Sequence, residues 1–271
     1  MLLEIQHQTR YRYDKPISLE PQHFYFHPLS RNYYNIQSFE LNTSPVAKAM
    51  SERIDLENNT FHQGWFDREL TQLEIQASMT IETRAFNPFD FLVEAKSKTT
   101  ETRAENPFLH PLPISAELKH WTDQIKECHD QTTSLLSDLC SKIHDDWTHE
   151  ARYDDSLLQP NACFAEKQGS CRDLSWMLIA MLRYLHFPAR FVSGYSFNPE
   201  LGEGHELHAW VEVFLHGGGW IGVDPSSGLF TTEYYIPVAT SYHPANTLPV
   251  QGVYRGNANS ELETSVQIKI F

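Results

Sequence analysis

The stretch "KQGSCRDLSWMLIAMLRYLHFPARFVSGY", Lys167 to Tyr195, decides how the chain is read. Leu174, Leu178, Met181, Leu182 and Leu185 form one apolar stripe at helical spacing. The pattern predicts a core helix that opens at Ser170 or Cys171, stops at Pro188 and gives way to a strand, "PARFVSGYSF". Gly169 and Ser170 let the chain turn sharply, so Cys171 stands at the mouth of the helix. There the free N–H groups and the macrodipole stabilise a thiolate. Position alone leaves three readings open: a buried small hydrophobe, a metal or disulfide partner, or a nucleophile.

A nucleophilic cysteine needs a base and a group that orients the base. Downstream, "ELHAWVEVFL" and "GGGWIGVDP" read as two further strands joined by a glycine-rich hairpin. Alternation puts Ala209, Val211 and Val213 on one apolar face and His208, Trp210 and Glu212 on the other. His208 is therefore expected to point away from the better-buried side, with Asp224 beside it on the neighbouring strand. Upstream, "ISAELKHWTDQIKECHD" and "TSLLSDLCSKIHDDWTHE" carry apolar residues at helical spacing and predict two helices.

The first hundred residues have the other period. Leu3, Ile5, His7, Thr9, Tyr11 and Tyr13 share one parity, as do Leu73, Ile75, Ala77, Met79 and Ile81, which predicts half-buried strands. Asn58-Asn59 suits a hairpin turn needing positive φ, and an antiparallel sandwich is the natural solution. From Asn87 the pattern breaks, and "ENPFLHPLPIS" holds three prolines that no helix or central strand accepts, so a domain boundary is placed at 105/106. The final "SVQIKIF" alternates again as a closing strand.

Composition narrows the partners. With 271 residues, 41% of them hydrophobic and a formal charge of −14, the chain is globular and ill suited to phosphate backbones or acidic headgroups. Neither nucleic acid nor membrane is expected as a partner. No stretch approaches the roughly 18 apolar residues of a membrane span, and four cysteines form no disulfide framework, so a cytoplasmic protein is expected.

"GSCRDLSWMLIAMLRYLHFPARFVSGY", "HAWVEV" and "GWIGVDPSSG", in that order, resemble the transglutaminase-like cysteine-enzyme superfamily, in its bacterial branch related to predicted cysteine proteases. "HQTRYRYDKPISL" resembles the β-rich domain that precedes the catalytic domain in this branch, and "NTLPVQGVYRGN" its carboxy-terminal segment. The resemblance implies an α+β fold: an amino-terminal antiparallel β-sandwich over 1–105, then a papain/transglutaminase-like catalytic domain over 106–271 with a carboxy-terminal β extension. Carried over position by position, Cys171 resembles the nucleophile, His208 the general base and acid, and Asp224 the residue that orients the histidine. The family usually has threonine after the Asp-Pro; Ser226 stands here, and its hydroxyl is expected to serve equally.

The implied mechanism is acyl transfer: Cys171 attacks an amide carbonyl, His208 protonates the leaving amine, and water or another amine resolves the thioester. The expected partner is a peptide or protein amide, and the expected activity that of a cysteine protease or amidase. A protein-glutamine transglutaminase, another amine acyltransferase and a non-catalytic peptide-binding module on the same fold are the alternatives. The Cys171 N–H is the expected first oxyanion donor, with Gln168, Gln159 and Asn161 as candidates for the second. Trp210 and Tyr195 are candidates for the cleft wall, with plain packing as the competing role. Asp173 reads as a helix-dipole partner. No cofactor is expected. Nor is a metal: His205 and His208, or His144 and His149 near Cys140, lack the spacing of a tetrahedral site.

Overall fold

The alternation at the amino terminus becomes one long strand, and the rest of the molecule is arranged around it. The computed structural model describes residues 1–92, 106–150, 152, 156–198 and 206–271. Its strands begin with β1 (Leu2–Leu19), β2 (Gln22–Phe24), β3 (Tyr34–Ser44), β4 (Ala49–Ile54), β5 (Thr60–Trp65) and β6 (Glu69–Thr83). Then come α1 (Ala116–Glu127), α2 (Thr132–Asp146), β7 (Thr148–His149), α3 (Pro160–Glu166), β8 (Gln168–Gly169) and α4 (Cys171–Tyr184). The remainder is β9 (Ala189–Ser196), β10 (Glu206–Leu215), β11 (Gly219–Asp224), β12 (Leu229–Phe230), β13 (Tyr235–Ser241), β14 (Val250–Gln251), β15 (Tyr254–Arg255) and β16 (Ser260–Ile270). The boundary placed at 105/106 falls at the end of a stretch, 93–105, that lies outside the described residues.

β1 pairs antiparallel with β6 in the register Leu3↔Ile81, Ile5↔Met79, His7↔Ala77 and Thr9↔Ile75, so the two predicted faces coincide. Leu3, Ile5, Ile75 and Ile81 are fully buried. On its other side β1 takes β16, the closing strand, and near its end β15. The last strand of the chain thus completes the sheet begun by the first. A smaller sheet runs β14-β2-β5-β4, and the β4–β5 hairpin turns at Asn58, whose φ is 64°.

The third sheet, β12-β11-β10-β9-β13, is antiparallel and carries the cysteine motif's partners. Ala209, Val211 and Val213 pack with α4, as their parity predicts. His208 points away from the better-buried side, as expected, yet its face is largely buried as well. Trp210 is 1% exposed and Glu212 5%. Tyr195 and Ile236, on the Ala209 face by register, join the core cluster of the first sheet, while on the opposite face Trp210 packs with Val192 and Tyr235. Glu212 is tolerated there because Arg31 and Arg190 both bond its carboxylate, at 2.7 and 2.5 Å. Asn59, fully buried, exchanges two 2.8 Å bonds with the Thr240 backbone and so ties the hairpin turn to β13. Gly194 is required by the close approach of β13 within the sheet, since a Cβ would lie 2.3 Å from the Ile236 carbonyl oxygen.

α4 is more deeply set than its stripe predicts. Every residue from Asp173 to Arg183 is buried, and Arg183 satisfies its guanidinium on the Ala189 and Tyr242 carbonyls.

Because β16 pairs with β1, and Tyr195, Ile236 and Val238 are at most 1% exposed beneath the first sheets, a chain of residues 106–271 alone is expected to lose its cooperative thermal transition and bind a hydrophobic dye. In the whole chain, Ile236→Ala should cost about 2–5 kcal/mol in urea denaturation.

Candidate active site

Cys171 reaches its place through a chain of local constraints. Trp147 closes α2, and the Lys167 ammonium lies 3.4 Å above its ring. Lys167 itself caps α3 at φ 55°, turning the chain into β8. β8 runs parallel to β7, with His149 opposite Gly169. Gly169 is there because a Cβ would sit 2.9 Å from that of Asp173. α4 then begins at Cys171.

Asp173 holds the mouth of that helix. Its buried carboxylate accepts from the Ser170 N–H and hydroxyl, both at 2.7 Å, from the Leu158 N–H at 2.8 Å, and from the Arg152 guanidinium at 2.5 Å. Asp173 therefore does more than face the helix dipole: it fastens two loop segments to the first turn of α4.

His208 and Asp224 come from neighbouring strands, as expected. The His208 Nε2 lies 2.9 Å from Asp224 Oδ2. Asp224 is 1% exposed, and the same oxygen accepts from the Tyr235 hydroxyl at 2.8 Å. Its other oxygen accepts from the Ser226 N–H at 2.9 Å and hydroxyl at 2.6 Å, the use to which the hydroxyl after the Asp-Pro is put. The Cys171 thiol lies within hydrogen-bonding reach of the His208 and His149 rings and of the Ala209 N–H. The structure thus gathers Cys171, His208 and Asp224 in one site and adds His149, Tyr235 and Ser226.

The electrostatics follow from these contacts. Burial alone raises the Cys171 thiol, but hydrogen bonds from His149 and His208 and the His208 charge outweigh it and bring the thiol down to about 6. Burial lowers His208, yet Asp224 and the thiol lift it well above the ordinary histidine value. Burial likewise opposes the Asp224 charge, and His208 with the Ser226 and Tyr235 hydroxyls overcomes it, holding the carboxyl far down. Near neutral pH the site is therefore a thiolate facing an imidazolium. Cys163, by contrast, is pushed up to about 12, mainly by burial, and Cys140 is also driven up by burial.

The site opens into a cavity of about 620 Å³. One end holds Cys171, His149 and His208, and the floor adds Ser193 and Ala209. Its far wall comes from the two ends of the chain: His7, Thr9 and Tyr11 of β1, and Leu262, Thr264 and Val266 of β16. The segment 244–250 closes the side. His7 is 3% exposed and fixed by Tyr195, Thr264 and Thr9, each at about 3 Å. Tyr195 is thus buried behind the wall, and Trp210 is packed between His208 and Tyr235. Gln159, Gln168 and Asn161 do not line the cavity, and the Asn161 side-chain oxygen is committed to the Ser115 N–H at 2.8 Å. Among the described residues no cluster of three or more His, Cys, Asp or Glu side chains is placed to hold a metal; His205 lies outside them.

Comparison with known proteins agrees with the architecture. Residues 119–225 match the transglutaminase-like superfamily and residues 3–82 the bacterial transglutaminase-like N-terminal region. The chain thus carries a transglutaminase-like superfamily domain and, ahead of it, a bacterial transglutaminase-like N-terminal region. A crystal structure of a predicted cysteine protease from Cytophaga hutchinsonii superimposes with a TM-score of 0.77 at 20% identity, covering 99% of this chain and 90% of that one. An uncharacterized protein of Mycobacterium leprae is 32% identical over 107 residues, 37% of each chain. A protein-glutamine gamma-glutamyltransferase of Pseudomonas aeruginosa is 26% identical over 132 residues, 43% of this chain and 19% of that protein. The chain spans less than half the length of the curated relatives it matches.

With Cys171 down to about 6 and Cys163 up to about 12, iodoacetamide at pH 7 should label Cys171 well before Cys140 or Cys163, read by peptide mass spectrometry. His208→Ala should slow that labelling severalfold. Asp173→Ala, which strips a buried carboxylate from Arg152 and Ser170, should cost on the order of 3 kcal/mol by urea denaturation.

Proposed function

We propose that the chain is a thiol-dependent acyl-transfer enzyme acting on amide or peptide bonds, most simply a cysteine protease or amidase. The observation that carries the reading is the relay from Asp224 through the His208 ring to the Cys171 thiol, opening on a cavity. In this reading Cys171 is the nucleophile, His208 the general acid and base, and Asp224 the residue that fixes the imidazole orientation and stabilises its charge. The thiolate adds to the amide carbonyl. His208, already protonated, then gives its proton to the leaving nitrogen, and a thioester remains on Cys171. For hydrolysis, neutral His208 takes a proton from water as the water attacks. The cavity size suits the side chains of a short peptide segment. A cytoplasmic setting belongs to the same proposal, supported by four free cysteines.

Transamidation is the second reading, favoured by the similarity to a protein-glutamine gamma-glutamyltransferase. The two differ only in whether water or an amine resolves the thioester. The test is to incubate the protein with a peptide library, quench in acid, and identify the acyl group on Cys171 by mass spectrometry. Chase with and without a fluorescent primary amine then reports release as acid or as amide. Absence of any acyl adduct on Cys171 while the thiol remains alkylatable would count against both.

Activity should require the thiolate and the imidazolium together. It should fall below pH about 6, where Cys171 takes up its proton, and fall again at high pH as His208, raised well above its ordinary value, loses its own. Cys171→Ala should abolish turnover. Asp224→Ala should reduce kcat less than His208→Ala, because it loosens the imidazole without removing it. Steady-state rates across pH 5 to 9 check both expectations.

A further inference from the structure

We propose that the His149 imidazole is the second oxyanion donor of this site, acting beside the Cys171 backbone N–H. The inference rests on the acyl-transfer reading and adds a catalytic residue to it. Its ground is geometric. His149 and Cys171 line the same end of the cavity, and the His149 ring is within hydrogen-bonding reach of the sulfur. The base position is already filled, since His208 is anchored to Asp224 through Nε2 and lies beside the thiol. His149 is therefore a second imidazole beside the nucleophile, with no proton-transfer duty in this reading. Its backbone is held on both sides: Thr148 N–H bonds the Lys167 carbonyl and Glu150 N–H the Gly169 carbonyl, each at 2.9 Å. The parallel β7–β8 pair thus locks His149 to the turn that delivers Cys171.

The chemistry gives such a donor a use. When Sγ bonds to the carbonyl carbon, the C=O π pair moves to oxygen, and the negative charge leaves the sulfur for an atom two bonds away. A donor that was bonded to the thiolate follows the charge with a small turn of the ring. The oxygen pair then returns, the C–N bond breaks with its electrons on nitrogen, and the His208 proton goes to that nitrogen. Thioester, amine and neutral His208 result, and His149 ends the step with the proton it began with. The Cys171 contact raises the His149 pKa, which favours the charged and stronger donor.

A residue that merely favoured the thiolate would affect every reaction of Cys171 alike, whereas an oxyanion donor affects only reactions at a carbonyl. The test compares two probes at one pH: p-nitrophenyl acetate, which acylates through an oxyanion, and iodoacetamide, which alkylates without one. The ratio of the two Cys171 rate constants cancels the thiolate fraction. His149→Ala should lower that ratio on the order of 10²-fold, and His149→Gln, which keeps an N–H donor, should restore part of it. Labelling of the buried Cys140 and Cys163 reports folding in the same samples. If the Ala variant exposes them, His149→Phe keeps the ring and lacks the donor. An unchanged ratio in the folded Ala or Phe variant overturns the assignment. If wild-type Cys171 is alkylated but never acylated by the ester, the acyl-transfer reading itself fails, and His149 with it.

Discussion

A sheet with apolar residues on both faces has to be covered twice, and that constraint shapes this molecule. The inner face of β9, β10 and β11 takes α4. Past that helix the same face carries Tyr195 and Ile236, and the amino-terminal sheets, completed by the chain's last strand, close over them. The other face carries Trp210 and Val192, packed with Tyr235, and Arg31 of the amino-terminal region reaches Glu212 there. His208 sits on that second face, at its edge, so covering the sheet also takes His208 and Asp224 out of water. In a drier setting the Asp224 charge acts on the imidazole at full strength, and the imidazolium in turn pulls down the thiol. The electrostatics of the cysteine depend on how the second face is packed.

Burying charge is costly unless every charged atom has partners, and three carboxylates here meet that condition in the same way. Asp224 accepts from a histidine, a tyrosine, a serine hydroxyl and a backbone N–H. Asp173 accepts from two backbone N–H groups, a hydroxyl and an arginine. Glu212 is held between two arginines, one from the loop after β2 and one on β9. Each joins segments far apart in sequence. One fixes the base, one fixes the helix that presents the nucleophile, and one fastens the amino-terminal layers to the sheet between them.

Much of this was legible in the residues, and the reasons for the gaps are physical. Period-2 parity found β1 and β6 with the correct buried faces, and helical spacing found α4, because each is long enough for a pattern to accumulate. β13 was missed. All seven of its residues are buried, so it shows no alternation, and Pro237 argued against a strand. It is in fact an edge strand whose register shifts just after Pro237, where the ring is tolerated. Losing β13 meant losing Tyr235, the third support of Asp224. His149 was weighed only as a metal ligand, since a two-residue strand paired in parallel leaves no periodic trace. The depth of the His208 face was not legible, because no local pattern announces that Arg31, on a distant loop, will neutralise Glu212.

The division of labour along the chain follows from the same topology. The groups that react, Cys171, His208 and Asp224 with His149 beside them, come from the elements between β7 and β11. The cavity's far wall comes from elsewhere: β1 and β16, the first and last strands, with the segment 244–250 at the side. Leu262, 43% exposed, contributes little to either core, whereas Tyr11 packs against the amino-terminal core and His7, locked between Tyr195 and Thr264, is part of the join between the layers. A change at Leu262 therefore alters the shape offered to a bound chain without touching the relay that sets the thiol's charge. Reaction and recognition are built on different strands, and the sheet that has to be covered is what brings them within reach of each other.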